Sequence, residues 1–322
     1  MEINLNKDSK NIPNILYIAS AGHSGSTLLD FLIGSLPHTF STGELVYFPW
    51  QIYRTIQSIS SIKNQNICTC GNSFFNCKVW GEVIKMVKNN MDIDMRQNPF
   101  LFDISIHRSP SYKDNFKISN KLIRTLYYLF SFQIFGNPIN NIYYHHYRQS
   151  IHNNWKLFRY LYNITGARYI IDSTKDPIRF KMLHRMHPNN IKLIILIRNV
   201  HGVATSGLMR QEHNNIEKAA KGWLKFYNNK IIKILKSTEN LNYLIIHYEE
   251  LTKHPEKIIR NIANFLEIDN FHLIAGNPMR YKNNFTIKYD KRWKNHINDQ
   301  QYDLLDKYQN KLNPIFTLQL DK

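Results

Sequence analysis

Much is missing from this chain, and each absence excludes something. Only three cysteines occur in 322 residues, clustered as Cys68, Cys70 and Cys77. An odd number in a chain of this length is not a disulfide framework. No apolar run is long enough to span a bilayer: the greasiest window, Leu122 to Phe135, is short and carries Arg124 and Gln133. The first ten residues are polar and mixed in charge, without the apolar stretch and small-residue cleavage site of a secretory leader. A soluble, cytoplasmic protein without stable membrane association is therefore expected. Basic stretches such as Lys288 to Lys294 occur, but no block of five or six uninterrupted like charges does, so nucleic-acid binding is not indicated. No internal repeat or low-complexity tract stands out.

What is present points to one sizeable folded unit. The chain is 43% hydrophobic, 13% aromatic and 20% charged, enough to bury a large core and too aromatic for long disorder. A single domain over residues 12–316 is expected, preceded by a polar extension, 1–11. The net charge of +18 comes with an abundance of Lys, Asn and Ile and with lysines scattered along the whole chain. Compositional bias alone accounts for such a pattern; attraction to a polyanion such as a nucleotide is the functional alternative. The cysteine spacing offers three ligands of a zinc site whose fourth would be a distant histidine, but a cysteine-bearing turn or a reversible disulfide explains it equally. No metal is expected, and His145, His146, His184 and His187 show no ligand pattern.

Strand-length apolar runs alternate with helical stretches. Ile15 to Ser20, Arg168 to Asp172, Ile191 to Arg198 and Tyr243 to Tyr248 are nearly continuous in apolar residues. Such strands are buried on both faces, which predicts a central parallel β-sheet flanked by helices, an α/β fold. Ser26 to Ser35 reads as the first helix, Thr39 to Glu44 as a short extended segment, and Pro255 as the first turn of a helix ending near Leu266. Residues 50–165 carry little strand signal, many aromatics and amphipathic patterns such as Tyr143 to Tyr162. They predict a largely helical insertion over the sheet's C-terminal edge, forming an acceptor pocket.

The stretch Ile15 to Leu29 holds the first chemistry. A strand ends in small residues and a helix begins in the same turn. Gly22 and Gly25 let a ligand approach the backbone, and Ser24, Ser26 and Thr27 place hydroxyls beside unpaired helix N-terminal amides. That arrangement is an anion cradle, and phosphate is its usual guest. The loop lacks the Gly-Lys-Ser/Thr ending of a nucleotide-hydrolysing P-loop, since Ser26 follows Gly25. Ordinary ATP or GTP hydrolysis is thereby disfavoured, and Asp172 is a weak second carboxylate for it.

Arg198 ends a predicted strand, and Ser206 follows eight residues later within Arg-Asn-Val-His-Gly-Val-Ala-Thr-Ser. With the cradle, this pair resembles the PAPS-dependent sulfotransferases of the bacterial, soluble type, which have a P-loop-like α/β fold. In that family the first loop grips the 5′-phosphosulfate of the donor, while an arginine and a serine eight residues on grip its 3′-phosphate. Here Asn199 and Val200 replace the family's usual Asp-Pro. Gly43-Glu44-Leu45 is similar to the segment whose glutamate acts as base, and Ile171 to Lys175 to an Asp-Ser-Ser-Lys segment. Tyr248-Glu249-Glu250-Leu251 resembles the motif whose tyrosine approaches the adenine. Gly276 to Arg280, with Trp293, resembles the segment that folds over the nucleotide, and the cysteine cluster with Trp80 also has a counterpart.

The resemblance implies sulfonate transfer from PAPS to a hydroxyl or amine of a small-molecule or glycan acceptor, with release of PAP. Glu44, His23 and Lys175 take the catalytic roles. Gly22, His23, Ser24, Gly25, Ser26, Thr27, Arg198, Ser206, Tyr248, Arg280 and Arg292 take the donor. His23 stands where the family usually has Arg or Lys, so it replaces that cation only when protonated, unless Lys175 supplies the charge. Asp172 and Lys175 are either substrate-side groups or a local ion pair. The alternatives are a P-loop-type nucleotide or small-molecule kinase, and a non-catalytic nucleotide- or polyanion-binding protein. The acceptor and the oligomeric state are not legible in the sequence.

Overall fold

The computed structural model describes residues 12–59, 68–106, 144–212, 215–269, 287 and 292–317. The apolar window 122–135, Tyr143, Gly276 to Arg280 and Lys288 lie outside that set, as does the side chain of Arg292. Among the described residues, no helix is long and apolar enough to cross a membrane.

Five strands form one sheet: β1 (Asn14–Ser20), β2 (Thr39–Ser41), β3 (Tyr169–Lys175), β4 (Ile191–Ile197) and β5 (Tyr243–His247). All pairings are parallel, and the order is β2-β3-β1-β4-β5. The expected α/β sheet is present. Its strands read as continuous apolar runs because both faces are covered. Along β1, Ile15, Tyr17 and Ala19 face one apolar layer, whereas Leu16 and Ile18 face the other. The first layer is built from α2 (Phe48–Ile59), α3 (Trp80–Met91), α4 (Arg148–Thr165), α5 (Pro177–Met186), α6 (Val200–Met209) and α7 (Ile216–Leu224). The helix α7 continues through a wide π-type turn, Lys225–Ile231, into α8 (Ile232–Ser237). The second layer rests on α1 (Ser26–Gly34) and α10 (Pro255–Phe265), with the short α9 (Tyr248–Lys253) between β5 and α10. A last helix, α11 (Asp299–Gln309), begins with a capping box formed by Asn298 and Gln301.

Two boundaries differ from the sequence reading, each for a hydrogen-bonding reason. β2 ends at Ser41 rather than running to Glu44, because Gly43 turns the chain at φ 68°. The carbonyl of Gly43 then accepts from the Ser173 amide. β3 continues to Lys175, beyond its apolar run, because its polar residues are satisfied internally. The Asp172 carboxylate accepts from both the amide and the hydroxyl of Thr174. An extra residue in β3 between its partners Tyr17 and Ala19 then brings Lys175 level with Ala19.

β1 is the central strand, with β2 and β3 on one side and β4 and β5 on the other, the switch point at which open α/β sheets form a crevice beyond the C-terminal ends of their strands. All five strands end toward that crevice, where they deliver the loop after β1, Gly43-Glu44, Lys175, Arg198 and Tyr248. In the described parts of 50–165 the elements of three or more residues are helical: the helices α3 and α4, the body of α2, and a 3₁₀ turn at Pro99–Leu101.

Candidate active site above the parallel sheet

The loop after β1 is bent by two left-handed residues, His23 at φ 61° and Gly25 at φ 87°. Gly25 caps α1 without any side-chain hydrogen bond, and no acidic residue occupies the first turn of that helix. Neither the cap nor the first turn of α1 therefore supplies a side chain to neutralise the positive end of its dipole. Glycine is required at 25 for space as well as for φ, because a Cβ there would lie 2.4 Å from Cδ2 and Cε2 of Tyr248. Gly22 is exposed, and a Cβ placed on it would meet nothing within 4 Å. Ser24 and Ser26 are buried, whereas Thr27 is exposed.

Arg198 reaches back to this loop from the end of β4. Its Nη1 donates to the His23 carbonyl at 3.0 Å, and its guanidinium carbon lies 4.5 Å from the centre of the Tyr248 ring. Its own carbonyl accepts from Nε1 of Trp223 at 3.0 Å. Gly202, one turn into α6, leaves room for it: a Cβ there would sit 2.5 Å from the arginine Nε. Asn199 fits a use of its own. Its side chain caps α6 at the Gly202 amide, while its amide and Nδ2 both donate to Oε1 of Glu249. The segments Arg198-Asn199 and Tyr248-Glu249, far apart in sequence, are thus fastened together directly. Ser206 lies farther along α6, half-buried.

A family model, the sulfotransferase domain, matches residues 14–313. The chain belongs to the sulfotransferase family. Solved structures are similar to it at low identity. The sulfotransferase domain of the Synechococcus PCC 7002 olefin synthase is 20% identical, with a TM-score of 0.44, covering 98% of this chain and 94% of that one. The sulfotransferase domain of the curacin biosynthetic pathway is 16% identical, with a TM-score of 0.43 over 94% and 93%. A sulfotransferase from Alicyclobacillus acidocaldarius is 11% identical, with a TM-score of 0.42 over 94% and 95%. No curated protein matches the chain.

On the other flank of the crevice, this sulfotransferase holds Glu44 and Lys175 together. Glu44 follows the Gly43 turn, and its Oε1 lies 2.6 Å from Nζ of Lys175, with both side chains partly exposed. Lys175 is itself left-handed, at φ 73°. His23 binds Oε2 of Glu212 through Nε2 at 3.0 Å. Burial lowers its pKa despite that carboxylate, and the positive charges of Arg210 and Lys175 lower it further. His23 and Lys175 therefore share one electrostatic neighbourhood, and burial favours the neutral imidazole.

Asp172 is not a substrate-side group, nor is it the partner of Lys175. It forms a fully buried ion pair with Arg179 at 3.0 Å. Arg179 also donates to the Ile104 carbonyl and to Oδ1 of Asn154, which ties β3 to α4, α5 and the segment around 104. Arg280 and the Arg292 side chain fall outside the described residues.

Sequence reasoning missed Tyr227 and Glu212. Tyr227 sits in the π-type turn, wholly buried, with its hydroxyl donating to the Leu196 carbonyl at 2.8 Å. The Ala21 amide donates to the same oxygen at 3.3 Å, and Ser24 Oγ lies 3.4 Å from it. One phenol thus props the loop against β4. Its partners in the loop are about two hundred residues away, and an aromatic inside a helical pattern carries no local sign of such a task.

Proposed function

We propose that this sulfotransferase moves the sulfonate of PAPS to a hydroxyl or amine of a small-molecule or glycan acceptor and releases PAP. The observation that carries the reading is the loop after β1: an uncapped helix N-terminus whose carbonyl at His23 is held by the buried Arg198. An N-terminus without side-chain cap or first-turn acid suits a phosphosulfate, and a permanently charged forked donor suits a phosphate. PAPS supplies an activated sulfonate on a phosphate leaving group. Gly22, His23, Ser24, Gly25, Ser26 and Thr27 would hold its 5′ end. Arg198 and Ser206 would hold the 3′-phosphate, with Tyr248 against the adenine and Arg280 and Arg292 covering it.

In the transfer step, the acceptor oxygen or nitrogen gives its proton to Glu44 and forms a bond to sulfur, while the bond from sulfur to the phosphate oxygen breaks. Glu44 is held for this by Lys175, which supplies positive charge beside the moving sulfonate. His23 adds a second cation once a bound dianion offsets the burial that keeps it neutral. Amides and cations suffice to stabilise the charge on the leaving oxygen.

Thermal unfolding with PAP, ATP or heparin tests the donor. Selective stabilisation by PAP is expected. Equal responses to ATP and PAP would count for the kinase reading, and a response to heparin alone for a polyanion binder. PAP binding without transfer to any of a panel of hydroxyl and amine acceptors would favour the non-catalytic alternative.

A further inference from the structure

Away from the crevice, Cys68, Cys70 and Cys77 converge in the irregular segment before α3. Their three Sγ atoms all lie within 4.8 Å of one another. Tetrahedral zinc with bonds of about 2.3 Å sets sulfurs about 3.8 Å apart, so shifts of about 1 Å or less would complete the spacing. A disulfide would need only two of the three sulfurs, and none of the three is disulfide-bonded.

The surrounding backbone is shaped around the sulfurs. Gly71 turns at φ 87°, the Cys68 amide donates to the Asn72 carbonyl, and the Gly71 amide donates to the Cys68 carbonyl. That tight turn aims the Cys70 amide at Cys68 Sγ and the Asn72 side-chain amide at Cys70 Sγ, the latter at 3.6 Å. Cys77 precedes α3, where the Val79 and Trp80 amides point at its sulfur. Amide donors directed at each of three sulfurs are what metal-bound thiolates need to spread their charge.

We propose that Cys68, Cys70 and Cys77 supply three of the four ligands of a zinc ion. Among the described residues no histidine or carboxylate joins the group. Cys68 and Cys77 are buried and Cys70 is exposed, so the open position belongs on the solvent side. Binding needs no oxidant: the thiols release their protons to solvent as the Zn–S bonds form. The ion is a structural clasp. It fixes the start of α3, where the Trp80 ring packs 4.7 Å from that of Phe48 at the start of α2, just after Glu44. This inference does not depend on the identity of the sulfonate donor or acceptor.

The test uses the full-length, fully reduced protein incubated with Zn²⁺, desalted and analysed for metal. About one zinc per chain is expected, with a melting temperature that falls several degrees on chelation and recovers on readdition. Cys70→Ser, at an exposed position, keeps the fold and loses most of the bound metal; Cys77→Ser does the same if it folds. Two results would each overturn the proposal: no zinc retained by the reduced protein, or zinc retained by Cys70→Ser at the wild-type level. Metal content is read without any turnover assay, so failure here leaves the transferase reading untouched.

Discussion

The two flanks of the crevice are built differently. On the donor flank, the loop after β1 is held from several directions at once. Arg198 holds the His23 carbonyl, Tyr227 holds the Ala21 amide, and Tyr248 fills the space over Gly25. Asn199 and Glu249 lock two of these parts to each other. On the acceptor flank, Glu44 and Lys175 hold each other through a single partly exposed contact above a glycine turn. Such a braced loop suits the proposed binding of a single nucleotide donor. The Glu44–Lys175 flank is tied by fewer contacts, which suits the proposed acceptor side.

The largest expected effect lies on the weaker flank. Glu44→Gln should lower turnover by about 10²–10⁴-fold, the usual contribution of a general base, while PAP affinity and melting temperature stay near wild type. Steady-state kinetics beside PAP calorimetry would check both halves, and a parallel loss of PAP binding would erase the division between flanks. Next comes Arg198→Ala, which removes a buried forked cation. PAP affinity should weaken roughly 30- to 300-fold, consistent with about 2–3.5 kcal/mol for a charged hydrogen-bonded contact. Arg198→Lys should recover only part of it, because a point charge does not reproduce the fork.

Gly25→Ala should destabilise the fold by about 2–3 kcal/mol in denaturant titration, from positive φ and the contact with Tyr248 together. Combining it with Tyr248→Ala should relieve the contact and leave the backbone strain.

The smallest effect is the most diagnostic of the loop. His23 is neutral in the free protein because burial lowers its pKa, whereas a bound dianion favours the charged imidazolium. Binding therefore takes up a proton, and PAP affinity should rise as pH falls from the imidazole pKa of the complex to the lowered pKa of the free protein, by at most about tenfold per pH unit. Titration calorimetry between pH 5.5 and 8 would show the slope. His23→Arg should flatten it, and a wild-type slope of zero would remove His23 from the phosphate.

Legibility also differs between the flanks. The cradle, Arg198 and the Tyr248-Glu249 segment stand in the sequence as short motifs at strand ends, and the structure gathers them at one crevice. Glu44 was readable too, through the glycine before it, but its bond to Lys175 was not. Asp172 looked like a substrate-side group or the partner of Lys175. The bulge in β3 instead sends Lys175 toward Ala19 and Glu44, leaving Asp172 to the buried Arg179. Tyr227 and Glu212 were invisible because neither belongs to a motif and each acts on a loop about two hundred residues away.

By itself the sequence determined the local conformations. Continuous apolar runs demand strands covered on both faces, and Gly25 and Gly43 permit turns that other residues resist. The tertiary structure decided which charges meet. Ion pairing depends on separation and burial in space, and both are set only after β3 and β4 come to lie on either side of β1. That is why His23 turns out to be held by Glu212 at a partly buried position, where burial lowers its pKa.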